Sequence, residues 1–577
     1  MDCKERILSD NYLENVVDFP VNIILETGSD SCYIPLGENY SVVYQNRLSA
    51  DPRWGGPYEY RYRPKLYGLM ELTATQLYCE PFDPTALISS GILAAQREPL
   101  NLTGRGCIFC CIDTGVDYTD PVFRREDGSS RILAIWDQTI QEGTPPDGLY
   151  FGSEYTREQI NEALQAENPY DIVPSRDTDG HGSAMAGVAV GSRLGSGSSY
   201  LGAAPDADIV VVKLKPCKPY LREYYFLPQD VPAYSEGDIM LAVKYADSFA
   251  EALIRPVIIC LGIGTNMGDH NGSSFLAGYL NRIGTRRSRV VVVGGGNEGN
   301  AAHHFYGQLS VDSGRADNYR DVEVRVADGV DGFVMEFWGN VPDLFNMTIR
   351  SPGGETIPPI RLGVESQITH RFIYERTEIT IQSVLVEANS GEQLMLFRVA
   401  KPTAGIWNFR VSAARQLHNG SFHLWLPITA FLSAECYFLE PDPYTTLTEP
   451  SLASGVISVS TYNDRNNSFF LESGRGFSRT GQIRPDLAAP GVNICTIRGR
   501  RTGSSLAAAM TAGAAVQFMQ WAVVEENSRL AETREVSNYF IQGAIRSPER
   551  SYPNREWGFG RLNLRGVFDV LAGITDN

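Results

Sequence analysis

The sequence predicts an α/β protein: a mostly parallel sheet with helices on both faces, an inserted all-β domain of sandwich or jelly-roll type, and a separate N-terminal unit. Three observations predict it. Between about 91 and 310, apolar runs of strand length alternate with helical segments, the pattern of a parallel sheet covered by helices. Between about 311 and 436 the chain alternates polar and apolar residues with period two, punctuated by Asp331-Gly332 and Pro352-Gly353-Gly354. Short strands at regular spacing with such turns suggest a β-sandwich. From about 437 to 577 the α/β character returns, so the β unit reads as an insertion.

Residues 1 to 90 hold short alternating pieces at 21–26 and 40–44, then a basic and aromatic stretch at 54–67. The α/β elements follow as strands at 107–112, 209–214, 257–261 and 290–293, with helices at 183–190 and 237–253. After the insertion come a strand at 456–460 and a long helical run from Leu506. A chain of 577 residues exceeds the roughly 250–300 residues at which one core stops growing, which agrees with several packed units.

Charge and composition exclude some partners. The net charge of −18 would be repelled by nucleic acid and by anionic membranes. No stretch reaches the ~18 uninterrupted apolar residues of a membrane span. The N-terminus lacks the apolar core of a secretory signal, so the expected location is the cytoplasm. Ten cysteines are scattered; only Cys107, Cys110 and Cys111 cluster, within an apolar strand. Side chains on a strand alternate faces, so Cys107 and Cys110 point apart and read as small buried residues. No metal constellation stands out, and no cofactor is expected.

Three motifs carry chemistry. Asp113 ends the strand CCID and is followed by Thr114-Gly115; strand ends are where catalytic groups gather in open α/β sheets. His181 lies in Asp179-Gly180-His181-Gly182, between two glycines that leave its ring accessible, ahead of a small-residue helix. Ser505, in Thr502-Gly503-Ser504-Ser505, starts the long helix, where free N–H groups and the dipole favour negative charge. Each has a plainer reading, as a turn former, a surface histidine or a helix cap. Together they supply a hydroxyl nucleophile, a base and an orienting carboxylate. Asn297, after the strand ending in Gly294-Gly295-Gly296, can donate its amide to a developing oxyanion.

At these motifs the chain resembles the subtilases, whose order of triad residues is also Asp, His, Ser. GAAPDADIVVVKLK at 202–215 and IICLG at 258–262 add to the likeness. The resemblance covers about 95–310 and 437–577. It implies a serine endopeptidase with catalytic Asp113, His181, Ser505 and Asn297. It also implies a substrate-binding edge at Cys260, Leu261 and Gly262 that pairs with the peptide by strand addition, beside Gly294, Gly295 and Gly296. Two positions depart from the family pattern: Ser504 replaces the usual threonine, and Ala509 the usual proline. A β-sandwich between the oxyanion asparagine and the nucleophile is similar to the Csp branch of clostridial germination proteases. That likeness implies a protein substrate, spore association, and residues 1–90 as a prodomain cut autocatalytically between about 70 and 100. Two other readings stay open: a signalling scaffold limited to self-cleavage, and a lectin-like insert with Trp338, Trp407 and Trp425 as sugar platforms.

Overall fold

The structure is a computed structural model that describes residues 1–19, 30–37, 39–48, 60–79, 82–195, 200–311, 318–360 and 365–574. The expected piece at 21–26, and residues 54–59 of the 54–67 stretch, lie outside the described residues.

A nine-stranded sheet organises the molecule. Its centre is Ile108–Asp113, paired in parallel with Val257–Leu261 on one side and Asp208–Lys213 on the other. Arg289–Gly294, Ile457–Asn463 and Leu487–Pro490 extend it in parallel on one side and Ile132–Asp137 on the other; among the described residues, Ser153–Thr156 and Ser468–Phe469 join as antiparallel edges. The central strands are apolar on both faces because helices cover both, as parallel sheets require. One face packs on the helices His181–Val190 and Ser504–Met519, the other on Glu236–Ala252 and Phe275–Gly284. Cys107 and Cys111 belong to the first core and Cys110 to the second, as strand alternation predicts. The run Ser504–Val524 is long and apolar enough to cross a membrane, but it lies mostly buried inside the fold.

The insertion is a β-sandwich. Its six-stranded sheet runs His304–Gln308, Ser421–Trp425, Gly332–Gly339, Gln393–Ala400, Glu378–Val384 and Glu365–Arg371. A five-stranded sheet built on Gly405–Ala413 faces it, across a core of Phe337, Phe397, Phe409 and Phe422. His304–Gln308 already pairs with Ser421–Trp425, so the unit begins before residue 311, and Cys436–Phe438 closes it. Trp338, Trp407 and Trp425 are at most 1 % exposed. All three fill cores, which corrects the sugar-platform reading.

The N-terminal unit is a helix, Cys3–Leu8, on a three-stranded antiparallel sheet of Tyr12–Val17, Ser41–Asn46 and Ser31–Pro35. Its apolar residues Ile7, Val16, Ile34 and Val42 merge with the core of the Glu236–Ala252 helix. The unit stops short of residue 90: Ala86, Leu87, Ile92 and Ala95 already pack in the main core with the Ser504–Met519 helix. Two disulfides, Cys3–Cys32 and Cys79–Cys495, have Cα separations of 5.5 Å. Scattered cysteines gave no sign of either pair.

Candidate active site

The three motif residues converge at the C-terminal edge of the sheet. Asp113 ends the central strand, His181 opens its helix and Ser505 sits in the first turn of another. Asp113 Oδ1 lies 2.8 Å from His181 Nδ1, and His181 Nε2 lies 3.0 Å from Ser505 Oγ. Hydroxyl, imidazole and carboxylate are thus connected by hydrogen bonds, with all three residues buried.

A second ring of contacts holds this geometry. Asp113 Oδ1 also accepts from Thr114 N at 2.8 Å. Thr114 Oγ1 accepts from Gly182 N at 3.0 Å and donates to Asp177 Oδ1 at 2.9 Å. Asp177 Oδ2 in turn accepts from the amide and hydroxyl of Ser183. The strand end and the histidine helix are therefore locked together through Thr114 and Asp177. Gly182 is obligatory here, because a Cβ on it would lie 2.1 Å from the Gly115 carbonyl oxygen. The sequence motifs brought Asp113 and His181 to notice but not Asp177, which stands four residues before the histidine without a distinguishing pattern.

Asn297 is held by its own carbonyl, since Oδ1 accepts from Ser504 N at 3.0 Å. That fixes Nδ2 toward the cleft, where it donates to the Glu71 carbonyl oxygen at 2.9 Å. An amide aimed this way beside the N-terminus of the nucleophile helix can stabilise an oxyanion.

The cleft holds a segment of the chain itself. Residues Leu66–Leu69 form a strand between Ala233–Ser235 on one side and Ile263–Gly264 on the other, antiparallel to both. Met70 N donates to the Gly262 carbonyl oxygen at 2.9 Å. The Met70 carbonyl oxygen then lies 2.8 Å from Ser505 Oγ and 3.1 Å from His181 Nε2. Beyond it, Thr73–Gln76 pairs antiparallel with Gly499–Thr502, the strand that leads to Ser505. His181 is consequently 4 % exposed; the ring that its flanking glycines were expected to leave accessible is covered by residues of the N-terminal segment.

Two of the expected binding residues sit elsewhere. Cys260 and Leu261 lie inside the sheet, paired on both sides with Ile108–Asp113 and Arg289–Gly294, so neither has an edge to offer a peptide. The peptide-pairing edge starts at the Gly262 carbonyl and continues through Ile263–Gly264. The second edge, Ala233–Ser235, is three residues long and too short for a periodic pattern, so it left no trace in the sequence. Gly294 leaves room for the Met70 side chain, since a Cβ there would lie 2.9 Å from Met70 Sδ. Gly295 donates its amide to the Val459 carbonyl and serves the scaffold. Gly296, at φ +87°, makes the turn into Asn297.

The imidazole's charge is set by opposing effects. Burial disfavours the charged ring, but Asp113 by charge and hydrogen bond, the Met70 carbonyl, and Asp179 together push the His181 pKa up to about 9. Among the described residues no group of three or more His, Cys, Asp or Glu is placed to hold a metal ion.

A parallel sheet that presents a buried Ser–His–Asp array at its carboxyl edge, with a strand-binding cleft across it, defines a serine protease of the subtilisin class. The Subtilase family matches residues 104–318 and 440–560, and the chain belongs to that family. Among solved structures it is similar to the Clostridium perfringens CspB protease, at 30 % identity and a TM-score of 0.75, over 85 % of this chain and 98 % of that one. The protein is a Csp-type subtilase. Sphericase aligns over 85 % of this chain and 99 % of its own at 14 % identity, with a TM-score of 0.41. MycP1 lacking its propeptide aligns over 85 % and 98 % at 14 % identity, with a TM-score of 0.37. No curated protein sequence matches the chain.

Proposed function

We propose that the protein is an endopeptidase that first cuts its own chain after Met70, making residues 1–70 its prodomain, and then cleaves a protein precursor. The observation that carries this is the Met70 carbonyl, 2.8 Å from Ser505 Oγ on a strand paired to both edges of the cleft. Ser505 attacks the Met70 carbonyl carbon while His181 takes the hydroxyl proton; Asp113 orients the ring and balances its charge. The Met70 carbonyl swings onto Asn297 Nδ2 as it becomes an oxyanion, replacing Glu71. His181 then gives its proton to the Glu71 nitrogen as the peptide bond breaks, and water releases the acyl group from Ser505.

Likeness to the CspB protease supports a protein substrate, and spore association rests on the resemblance to the germination proteases seen in the sequence. The chain is expected to be made in the cytoplasm, and the two disulfides suit a later oxidising environment. Intact-mass measurement and N-terminal sequencing of wild type beside Ser505→Ala test the reading. Wild type should begin at Glu71 and the variant at residue 1, and a fluorophosphonate should label Ser505 only in the wild type. A wild-type chain that stays intact and unlabelled would reject it. A new N-terminus at Leu72 would move the scissile bond to the carbonyl that Asn297 now holds. Self-cleavage without turnover of any added peptide would favour the scaffold reading.

A further inference from the structure

The strand Leu66–Leu69 crosses the cleft beneath the inserted β-sandwich, not only between two edges of the catalytic body. Gly68 pairs with Ala233 on one side and Gly264 on the other, so three small residues lie abreast. Above Gly68 stand Ile428 and Phe431, from the segment that follows the Ser421–Trp425 strand of the sandwich. A Cβ on Gly68 would lie 2.6 Å from Ile428 Cδ1 and 3.0 Å from Phe431 Cε1. Contact between carbon atoms is comfortable only near 3.5–4 Å, as a rough guide. The φ angle of Gly68 is not in the left-handed region, so space rather than backbone conformation demands glycine.

The wall has little freedom to retreat. Ile428 and Phe431 are 5 % and 3 % exposed and pack in one cluster with Leu66, Trp338, Leu394 and Trp425. Thr429, between them, donates through its amide and hydroxyl to Glu298 Oε1, each at 3.0 Å. On the other side Asn266 Nδ2 donates to the Leu426 carbonyl at 3.2 Å. The wall is thereby pinned to the segments that follow both Asn297 and the Gly262–Gly264 edge.

We infer that the inserted sandwich is the specificity wall of the cleft, and that Ile428 and Phe431 restrict cleavage to polypeptide segments carrying glycine two residues before the residue that occupies the Met70 position. The inference rests on the self-cleavage reading for its register. The substrate class is a protein containing Gly-X-Met or a close equivalent, with its own Gly68-Leu69-Met70 as the first example.

The test pairs a bump with a hole. In the full chain, Gly68→Ala should slow the appearance of the processed form about tenfold or more, the usual consequence of overfilling a packed site. Gly68→Ala combined with Ile428→Ala should recover most of the rate. A Gly68→Ala chain that processes at the wild-type rate, or a loss that Ile428→Ala does not repair, overturns the inference. A second readout needs no catalysis. With Ser505→Ala in every chain, hydrogen exchange at Leu66–Met70 should quicken about tenfold in Gly68→Ala and slow again on adding Ile428→Ala. Wild type that never cuts itself would end the self-cleavage reading, while the exchange series would still decide whether the wall excludes a side chain.

Discussion

The segment that runs through the cleft is held in two different ways on its two sides. Upstream, Leu66–Met70 is buried, paired on both edges, and continuous with a unit that shares the core of the Glu236–Ala252 helix. Downstream, all four residues of Thr73–Gln76 are exposed and, among the described residues, pair with one strand, but Cys79 ties them to Cys495. Tyr67 is fully buried and Tyr78 is 80 % exposed, although only eleven positions separate them. A cut after Met70 would leave an upstream piece held by noncovalent burial and a downstream piece held covalently. The difference teaches that processing and release are separate problems: chemistry acts on the bond, while undocking has to work against a shared core.

The largest expected effect concerns the chemistry alone. Asn297→Ala should slow self-cleavage by about 10²–10³-fold, the usual loss for one oxyanion donor. The upstream segment should stay docked, because none of its pairing partners is touched. Time courses of intact mass measure the rate, and hydrogen exchange at Leu66–Met70 measures docking. A variant that cuts normally would remove Asn297 from the mechanism.

Next comes the covalent tether. Cys79→Ser together with Cys495→Ser should lower stability by about 2–4 kcal/mol, because this bridge closes a long loop of 416 residues. Cys3–Cys32 spans 29 residues within the N-terminal unit, so its removal should cost less and leave the downstream strand in place. Urea midpoints under non-reducing conditions compare the two, and proteolysis near residue 78 reports whether the strand detaches.

The pH dependence separates chemistry from docking. With the His181 pKa pushed up to about 9, the ring is charged at neutral pH in the uncut chain and cannot accept the Ser505 proton. Self-cleavage should therefore rise about tenfold per pH unit from 7 and level off near 9. The linked stability runs the opposite way. A histidine whose folded pKa exceeds its unfolded value near 6.5 contributes stability that is complete below about 6.5 and fades as pH climbs through about 9. Ser505→Ala should show this loss without any cleavage, by thermal melts across that range. A rate already flat from pH 7 upward would mean that Asp113, with the Met70 carbonyl and Asp179, does not keep the ring charged at neutral pH.

The hydrogen-bonded arrangement of Asp113, His181 and Ser505 was largely legible in the sequence because each member sits on a short, local signal: a strand end with Asp-Thr-Gly, a glycine-flanked histidine, and a serine opening an alanine-rich helix. The fold class was legible for a related reason. Period-two alternation and buried apolar runs write the sandwich and the parallel sheet directly into the chain. What escaped is non-local. Gly262–Gly264 and Ala233–Ser235 act as edges only because a third strand, more than 160 positions from either, is laid between them. Cys260 and Leu261 looked like an edge by resemblance, yet they pair on both sides. The Cys79–Cys495 bridge and the contact of Ile428 with Gly68 likewise join residues whose proximity no local pattern encodes.

The smallest effect tests whether the downstream side depends on its tether or on its side chains. Tyr78→Ala removes a ring that is 80 % exposed. Surface substitutions away from packed features usually change stability by no more than about 0.5 kcal/mol. The urea midpoint and the self-cleavage rate should both stay within error of wild type, because strand pairing with Gly499–Thr502 and the bridge at Cys79 persist without the ring. A loss of a kilocalorie or more per mole, by the same urea measurement, would mean that Tyr78 covers something. The downstream half would then be held by burial after all, and the contrast between the two sides of the cut would narrow to the bridge alone.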